Sequence, residues 1–203
     1  TPPQAESDFF EKHTTFVAAA DDRGNWVAIN TTLNTTFGSK VIVPGLGVVM
    51  NNQMDDISIA PGTPNAFGLV GGDSNAIAPG KRPLSSMSPT IVLKDGQPVL
   101  TVGAAGGPKI ITQVVWAIVN HLDLGMPIED AVAHPRIHHQ WSPDQILMES
   151  SVSEEVADQL RGRGHKIRAT RNAGITQAIS FDPQSGLFTG VHDPRVNGKA
   201  GGL

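Results

Sequence analysis

The 203-residue sequence contains no cysteine and no tyrosine. Without cysteine there can be no disulfide, no thiolate metal ligand and no cysteine nucleophile. Aromatic residues make up only 5%, with 3 tryptophans, so there is no series of rings for bases to stack on. Positive charge is also scarce. Fifteen Lys and Arg against 19 Asp and Glu leave a net charge of -4, which argues against a nucleic-acid or anionic-membrane partner, since both reward a basic face. Long apolar runs are missing as well. The strongest, over 110–124, is interrupted by Thr112, Gln113, Asn120, His121 and Asp123, and a membrane-spanning helix needs about 20 consecutive apolar residues. Metal motifs are absent too. His134, His138 and His139 cluster, but Pro135 breaks the helical i, i+4 spacing of a zinc pair, and no His-Glu-x-x-His motif occurs. No metal or other cofactor is expected.

What is present is ordinary for a globular protein: 39% hydrophobic and 17% charged residues. The length suits one large domain over 1–203 with a real core. Residues 1–13 read as an arm or loop. Two β-branched, apolar runs, 14–20 and 26–32, flank Asp21-Asp22-Arg23-Gly24-Asn25 and predict a hairpin. A broken apolar stretch over 41–50 is followed by a long Gly/Pro-rich region, 51–88, whose length marks a functional loop. Residues 90–93 and 98–102 surround Asp95-Gly96, a second hairpin signal. Apolar residues at 110, 111, 114, 115, 118, 119 and 122 predict a largely buried helix ending at Gly125. Pro127 opens a shorter helix through 133, and Ser153 caps a third before Gly164. Short strands follow at 166–170, 176–181 and 187–191. Hairpins, then helices, then strands predict an α+β layered fold.

Four polar constellations could carry chemistry, and each also has a plain structural reading as a turn or loop. Residues 30–37 hold Thr31, Thr32, Asn34, Thr35 and Thr36, hydroxyls and an amide at the end of a strand. Asn51-Asn52-Gln53-Met54-Asp55-Asp56 could hold an ammonium group, with Gln53 and Asp56 as acceptors. Lys81-Arg82-Pro83-Leu84-Ser85-Ser86 sets two hydroxyls beside two cations, which suits a carboxylate. Gly103-Ala104-Ala105-Gly106-Gly107-Pro108 leads from a strand into a helix, where free N–H groups suit an oxyanion. The chain also opens on Thr1-Pro2-Pro3 rather than Met. Processing that liberates an N-terminal threonine places a hydroxyl and a general-base amine on one residue.

The order of these segments resembles the small, catalytic subunit of the γ-glutamyltranspeptidase family. The likeness runs through Thr32-Leu33-Asn34-Thr35-Thr36-Phe37-Gly38, Asn51 to Asp56, Lys81 to Pro89 and the Gly103 to Gly107 turn. It continues through Pro135-Arg136-Ile137-His138-His139-Gln140-Trp141 to Asp193-Pro194-Arg195. The resemblance implies one half of an αββα N-terminal nucleophile hydrolase sandwich, a precursor cleaved by itself, and a large subunit from that precursor as partner. It implies that Thr32 supports the nucleophile and that Asn34, Gln53 and Asp56 bind the amino end of a γ-glutamyl group. Ser85 and Ser86 would hold its carboxylate, the Gly106 and Gly107 amides would form the oxyanion hole, and 61–75 would be a lid. Phe67 stands where family members often carry a lid tyrosine. The family's nucleophile position matches Thr14 in His13-Thr14-Thr15-Phe16, with Phe16 replacing the usual histidine. An internal threonine has no free amine, so Thr1 and Thr14 both stand as nucleophile candidates; the chain start favours Thr1, the motif register Thr14, and the balance falls narrowly to Thr1. The implied activity is transfer of a γ-glutamyl group from glutathione or a similar donor to an amino acid, a peptide or water. A periplasmic or extracellular setting is expected over a cytoplasmic one. The alternatives are an amide acylase acting on β-lactam or glutaryl side chains and an uncleaved, inactive homologue.

Overall fold

The computed structural model describes residues 14–202; the 1–13 arm, and Thr1 with it, lies outside the described residues. The first hairpin forms where the pattern predicts it. β1 (Thr14–Ala20) and β2 (Trp26–Thr32) pair antiparallel from Thr14↔Thr32 to Ala20↔Trp26. Asp21 closes the turn by accepting the Arg23 and Asn25 N–H groups on one carboxylate oxygen.

The second hairpin joins β3 (Thr90–Lys94) to β4 (Gln97–Ala105). Asp95 and Gly96 both take positive φ, 52° and 80°, as a two-residue turn of this kind requires. β4 runs on to Ala105 because it is an inner strand. With β8 (Ile175–Asp182) and β9 (Leu187–Val191) it makes a four-stranded antiparallel sheet in the order β3-β4-β8-β9, and every residue from Val99 to Ala105 is buried.

α1 (Lys109–Ile118) and α2 (Ile128–Ala133) pack on one face of this sheet. Leu100, Val102, Ala104, Ile110, Val114 and Val132 form the shared core. The helix expected over 110–124 is shorter and less buried than its apolar spacing implies. α1 gives way to a π turn at Val119–Asp123, and Ile111 and Val115 are exposed, because only one face of the helix meets the sheet.

The β1–β2 ribbon covers the opposite face of β4 and β8. Phe16, 5% exposed, is its anchor. A Cβ on Gly103 would overlap the Phe16 ring, so this close approach of strand and ring needs glycine. Helices, four-stranded sheet and ribbon thus stack as α, β and β, an α+β arrangement equal to one half of the αββα sandwich.

A third sheet, absent from the sequence expectations, joins β5 (Ile137–His138), β6 (Ile146–Glu149) and β7 (Ile167–Thr170). β6 and β7 are parallel, with α3 (Glu154–Gly162) as crossover, and Ile146, Met148 and Ala157 pack between them. The Ser153 hydroxyl caps α3 by accepting the Val156 N–H. Residues 41–50 form one isolated bridge, Ile42 to Val49, and 51–88 contain only the short turns Gln53–Asp56 and Asp73–Asn75 as helix. Among the described residues no helix is long and apolar enough to cross a membrane.

Replacing Phe16 by Ala in the full-length protein is expected to cost about 3 kcal/mol or more and to lower Tm by roughly 6–12 °C. Scanning calorimetry of the variant checks this.

Candidate active site

The open end of the ribbon carries two hydroxyls that the antiparallel register sets face to face. Thr14 Oγ1 donates to Thr32 Oγ1 at 3.0 Å. The Asn34 N–H donates to the same Thr32 oxygen at 2.9 Å, which fixes that hydroxyl. If Thr14 lost its proton, Thr32 could turn donor toward the resulting alkoxide, since a hydroxyl both gives and accepts.

The next two polar segments form one unit. Asn34 is buried at φ 77°, and its side-chain amide donates to the Asn52 carbonyl at 3.2 Å. Asn52 Oδ1 accepts both the Thr35 N–H and the Thr35 hydroxyl at 3.0 Å. Gly38 at φ 52° lets the backbones meet, since a Cβ there would overlap the Met50 carbonyl oxygen. One turn later, Gln53 Nε2 donates to Asp56 Oδ2 at 2.6 Å. Burial pushes the Asp56 carboxyl above the ordinary carboxylate range; the Gln53 bond opposes this, and the neighbouring Asp55 charge adds to it.

Asp56, Ser85 and Ser86 line one cleft of about 630 Å³, together with Pro108, His138 and Gln140. Ser85 is exposed, with its oxygen accepting the Met87 N–H at 3.1 Å, and Ser86 is half-buried. Thr14, Thr32, Asn34, Gln53, Gly106 and Gly107 do not line this cleft. Over it lies the 61–75 loop, folded around Asn65, whose side-chain oxygen accepts the Phe67 and Leu69 N–H groups at 3.0 Å each. The Phe67 ring rests on the glycine turn: a Cβ on Gly107 would sit 3.0 Å from it.

Gly106 and Gly107 take φ of 142° and 62°, values a side chain would strain. Among the described residues neither glycine N–H has an acceptor. Asn30 ties this turn to the ribbon by donating to the Ala104 carbonyl at 3.0 Å. Asn30 lies opposite Phe16, two residues from Thr32, and Ala104 lies two residues before Gly106. The hydroxyl pair and the free amides therefore flank one crossing of ribbon and sheet.

The sequence reading gave no role to His138 and Gln140, although both stand in the Pro135-to-Trp141 segment it singled out. His138 shares a hydrogen bond with Thr112 Oγ1 at 2.9 Å and another with Gln140 Oε1 at 3.1 Å. Gln140 in turn donates to the Phe67 carbonyl at 3.1 Å. Burial pushes the His138 pKa down, which favours the uncharged ring. Of the other two histidines in that cluster, His134 bonds to the Pro135 carbonyl, and His139, which also lines the cleft, bonds to Asp144. Among the described residues no three His, Asp or Glu side chains gather as a metal site.

The sequence model of the γ-glutamyltranspeptidase family matches residues 3–203. The chain belongs to the γ-glutamyltranspeptidase family. It is 45% identical over 193 residues to a glutathione hydrolase proenzyme of Escherichia coli, covering 95% of this chain but 33% of that protein. It thus spans about a third of the length of such relatives. A γ-glutamyltranspeptidase from Helicobacter pylori carrying a T380A substitution superposes with a TM-score of 0.86 at 46% identity, over 90% of this chain and all of that one. A more distant likeness, at 30% identity and a TM-score of 0.80, is to a cephalosporin acylase from Bacillus halodurans, over 91% of this chain and 33% of that one. The γ-glutamyltranspeptidase fold is therefore what the layers described above build.

The raised Asp56 pKa has a checkable origin. Its carboxyl is expected to titrate above an ordinary aspartate, Asp55→Asn to lower its midpoint, and Gln53→Leu to raise it further. Because the folded value is the higher one, the stability linked to this group is full below the unfolded pKa. It is lost as pH rises through the folded pKa. Carbon-13 NMR of labelled aspartate carboxyls reads these midpoints directly.

Proposed function

We propose that this chain is the small subunit, folded as one domain, of a glutathione hydrolase and γ-glutamyl transferase, with Thr14 as nucleophile. The observation that carries the reading is the 3.0 Å bond between the Thr14 and Thr32 hydroxyls, at the ribbon end beside the free glycine amides. Cleavage of the bond before Thr14 would free the α-amine that an internal threonine lacks. Thr1, the other candidate, lies outside the described residues.

The reaction follows from these groups. The amine takes the Thr14 proton while Oγ1 attacks the γ-carbonyl carbon. The Gly106 and Gly107 N–H groups receive the negative charge on the former carbonyl oxygen; losing one such donor typically costs about 3–4 kcal/mol. As the tetrahedral intermediate collapses, the amide C–N bond breaks and the leaving amine takes the proton. Water, an amino acid or a peptide then attacks the γ-glutamyl ester and restores Thr14. Asn34, Gln53 and Asp56 hold the donor's α-ammonium end, Ser85 and Ser86 its α-carboxylate, and Phe67 closes the lid without the hydroxyl contact a tyrosine would make. Outward-facing Val17, Val27 and Ile29 on the ribbon support a large subunit from the same precursor as the partner covering this face.

The likeness to the cephalosporin acylase supports a second reading, an amide acylase for side chains without an ammonium group. Asp56 favours the first. A carboxylate there pairs with an ammonium group and repels the carboxylate end of a glutaryl chain.

Thr14→Ala is expected to lower hydrolysis of a chromogenic γ-glutamyl anilide by at least about 10³-fold, while Thr1→Ala leaves it unchanged; the reverse pattern assigns the chemistry to Thr1. Comparison of γ-glutamyl with glutaryl anilides separates the two substrate classes. The KM for the γ-glutamyl compound should also rise as pH falls through the elevated Asp56 pKa, because the protonated acid loses its charge for the ammonium group.

A further inference from the structure

The Gly106-Gly107 turn has two faces, and they meet very different neighbours. Gly107 faces the lid through Phe67. Gly106 faces inward: a Cβ there would sit 3.1 Å from Gln113 Nε2 and 3.3 Å from the Gly174 backbone. Gln113 stands on α1, is 2% exposed, and fills the space between these glycines so completely that a Cβ on Gly174 would overlap its amide.

The orientation of that amide is fixed by what surrounds it. Gln113 Oε1 accepts the Thr176 hydroxyl at 3.0 Å and an Arg136 N–H at 3.3 Å. Two donors on one end leave Nε2 to face the Ala105 carbonyl, to which it donates at 3.2 Å. In a planar trans peptide the C=O and the following N–H point in opposite directions. A carbonyl of Ala105 drawn toward α1 therefore turns the Gly106 N–H away from the helix, toward the side where the lid lies.

We propose that Gln113 is a positioning residue for γ-glutamyl transfer, aiming the Gly106 amide by holding the Ala105 carbonyl. The proposal rests on the reading of Gly106 and Gly107 as the oxyanion site served by Thr14. Gln113 itself touches no substrate. Its effect is on the rate of the step in which the oxyanion forms, with little effect on capture of the γ-glutamyl donor, whose ammonium and carboxylate contacts lie elsewhere.

Two substitutions test it in the full-length, self-processed enzyme. Gln113→Glu keeps the shape and both acceptor contacts but sets an oxygen against the Ala105 carbonyl; Gln113→Leu removes the donor with no added charge. Kinetics on a γ-glutamyl anilide, expressed per cleaved chain, should show kcat down about 10–100-fold in both, less than loss of a whole oxyanion donor. KM should change less than about 3-fold, the signature of an interaction made in the transition state. A soluble variant with wild-type kcat, or one whose loss lies in KM, overturns the proposal. So does failure of both variants to give soluble protein, which assigns Gln113 to the fold alone. Thr14→Ala, run alongside, tells the two ideas apart. An active Thr14→Ala sinks the underlying reading. An inactive Thr14→Ala with unaffected Gln113 variants sinks only this inference.

Discussion

The guanidinium of Arg136 is the tie on which the site's framework depends. It is buried between α2, α1 and the β8 and C-terminal segments. It donates to Asp193 Oδ2 at 2.8 Å, the Gly174 carbonyl at 2.9 Å, the Val132 carbonyl at 2.5 Å and Gln113 Oε1 at 3.3 Å. Asp193, fully buried, also accepts the Thr176 N–H at 2.8 Å. Arg195 extends the network, binding Asp193 and, through two bonds at 2.6 and 2.9 Å, Glu149 on β6. Burial works against the Glu149 charge, yet Arg195 and two backbone N–H groups outweigh it and hold its pKa below the usual value. A paired, fully hydrogen-bonded buried ion set need not add much net stability, but removing one partner strands a charge, which typically costs about 3–5 kcal/mol. Three separate segments of chain are thereby locked in one arrangement.

That lock reaches the chemistry through neutral intermediaries. Arg136 fixes Gln113 and Gly174, and these back the glycine turn from inside. On the outer side the supports are softer: a phenylalanine ring, a side-chain amide from Gln140 and the Asn65 turn. The inner wall is thus held by buried ionic contacts and the outer wall by a loop with few. Such a division suits the proposed roles of the two walls, oxyanion groups that stay fixed under a cover that admits a substrate.

Much of the framework could be read from local pattern, because the signals there are local. The first hairpin was bounded to the residue by β-branched runs and the Asp21-to-Asn25 turn, and Asp95-Gly96 marked the second. Helix caps at Pro127 and Ser153 fell where the sequence put them. β5 escaped because two residues leave no period to detect, and β6 because Ile146-Leu147-Met148-Glu149 shows no apolar–polar alternation. The burial of the helix expected over 110–124 was overstated because Ile111, Val115 and Leu122 widen its apolar stripe beyond the face that meets the sheet. Those residues stay exposed, along with much of the ribbon's outer face. For the site, the polar segments could be picked out by composition, but their joining through Asn52 and Asn30 depends on contacts across 17 to 74 positions. The set of buried Arg136, Asp193 and Glu149 with half-buried Arg195 was invisible as a network for the same reason, although both arginines and Asp193 stood in the motifs that carried the family resemblance.

The central claim is that Thr14 oxygen carries the γ-glutamyl group. Rapid acid quench of the full-length enzyme with a γ-glutamyl donor, followed by peptide mass mapping, locates the ester directly. The expected result is a γ-glutamyl adduct on a peptide whose first residue is Thr14, with the free amine of that residue intact. An adduct on a peptide beginning at Thr1, or on any side chain other than Thr14, would contradict it.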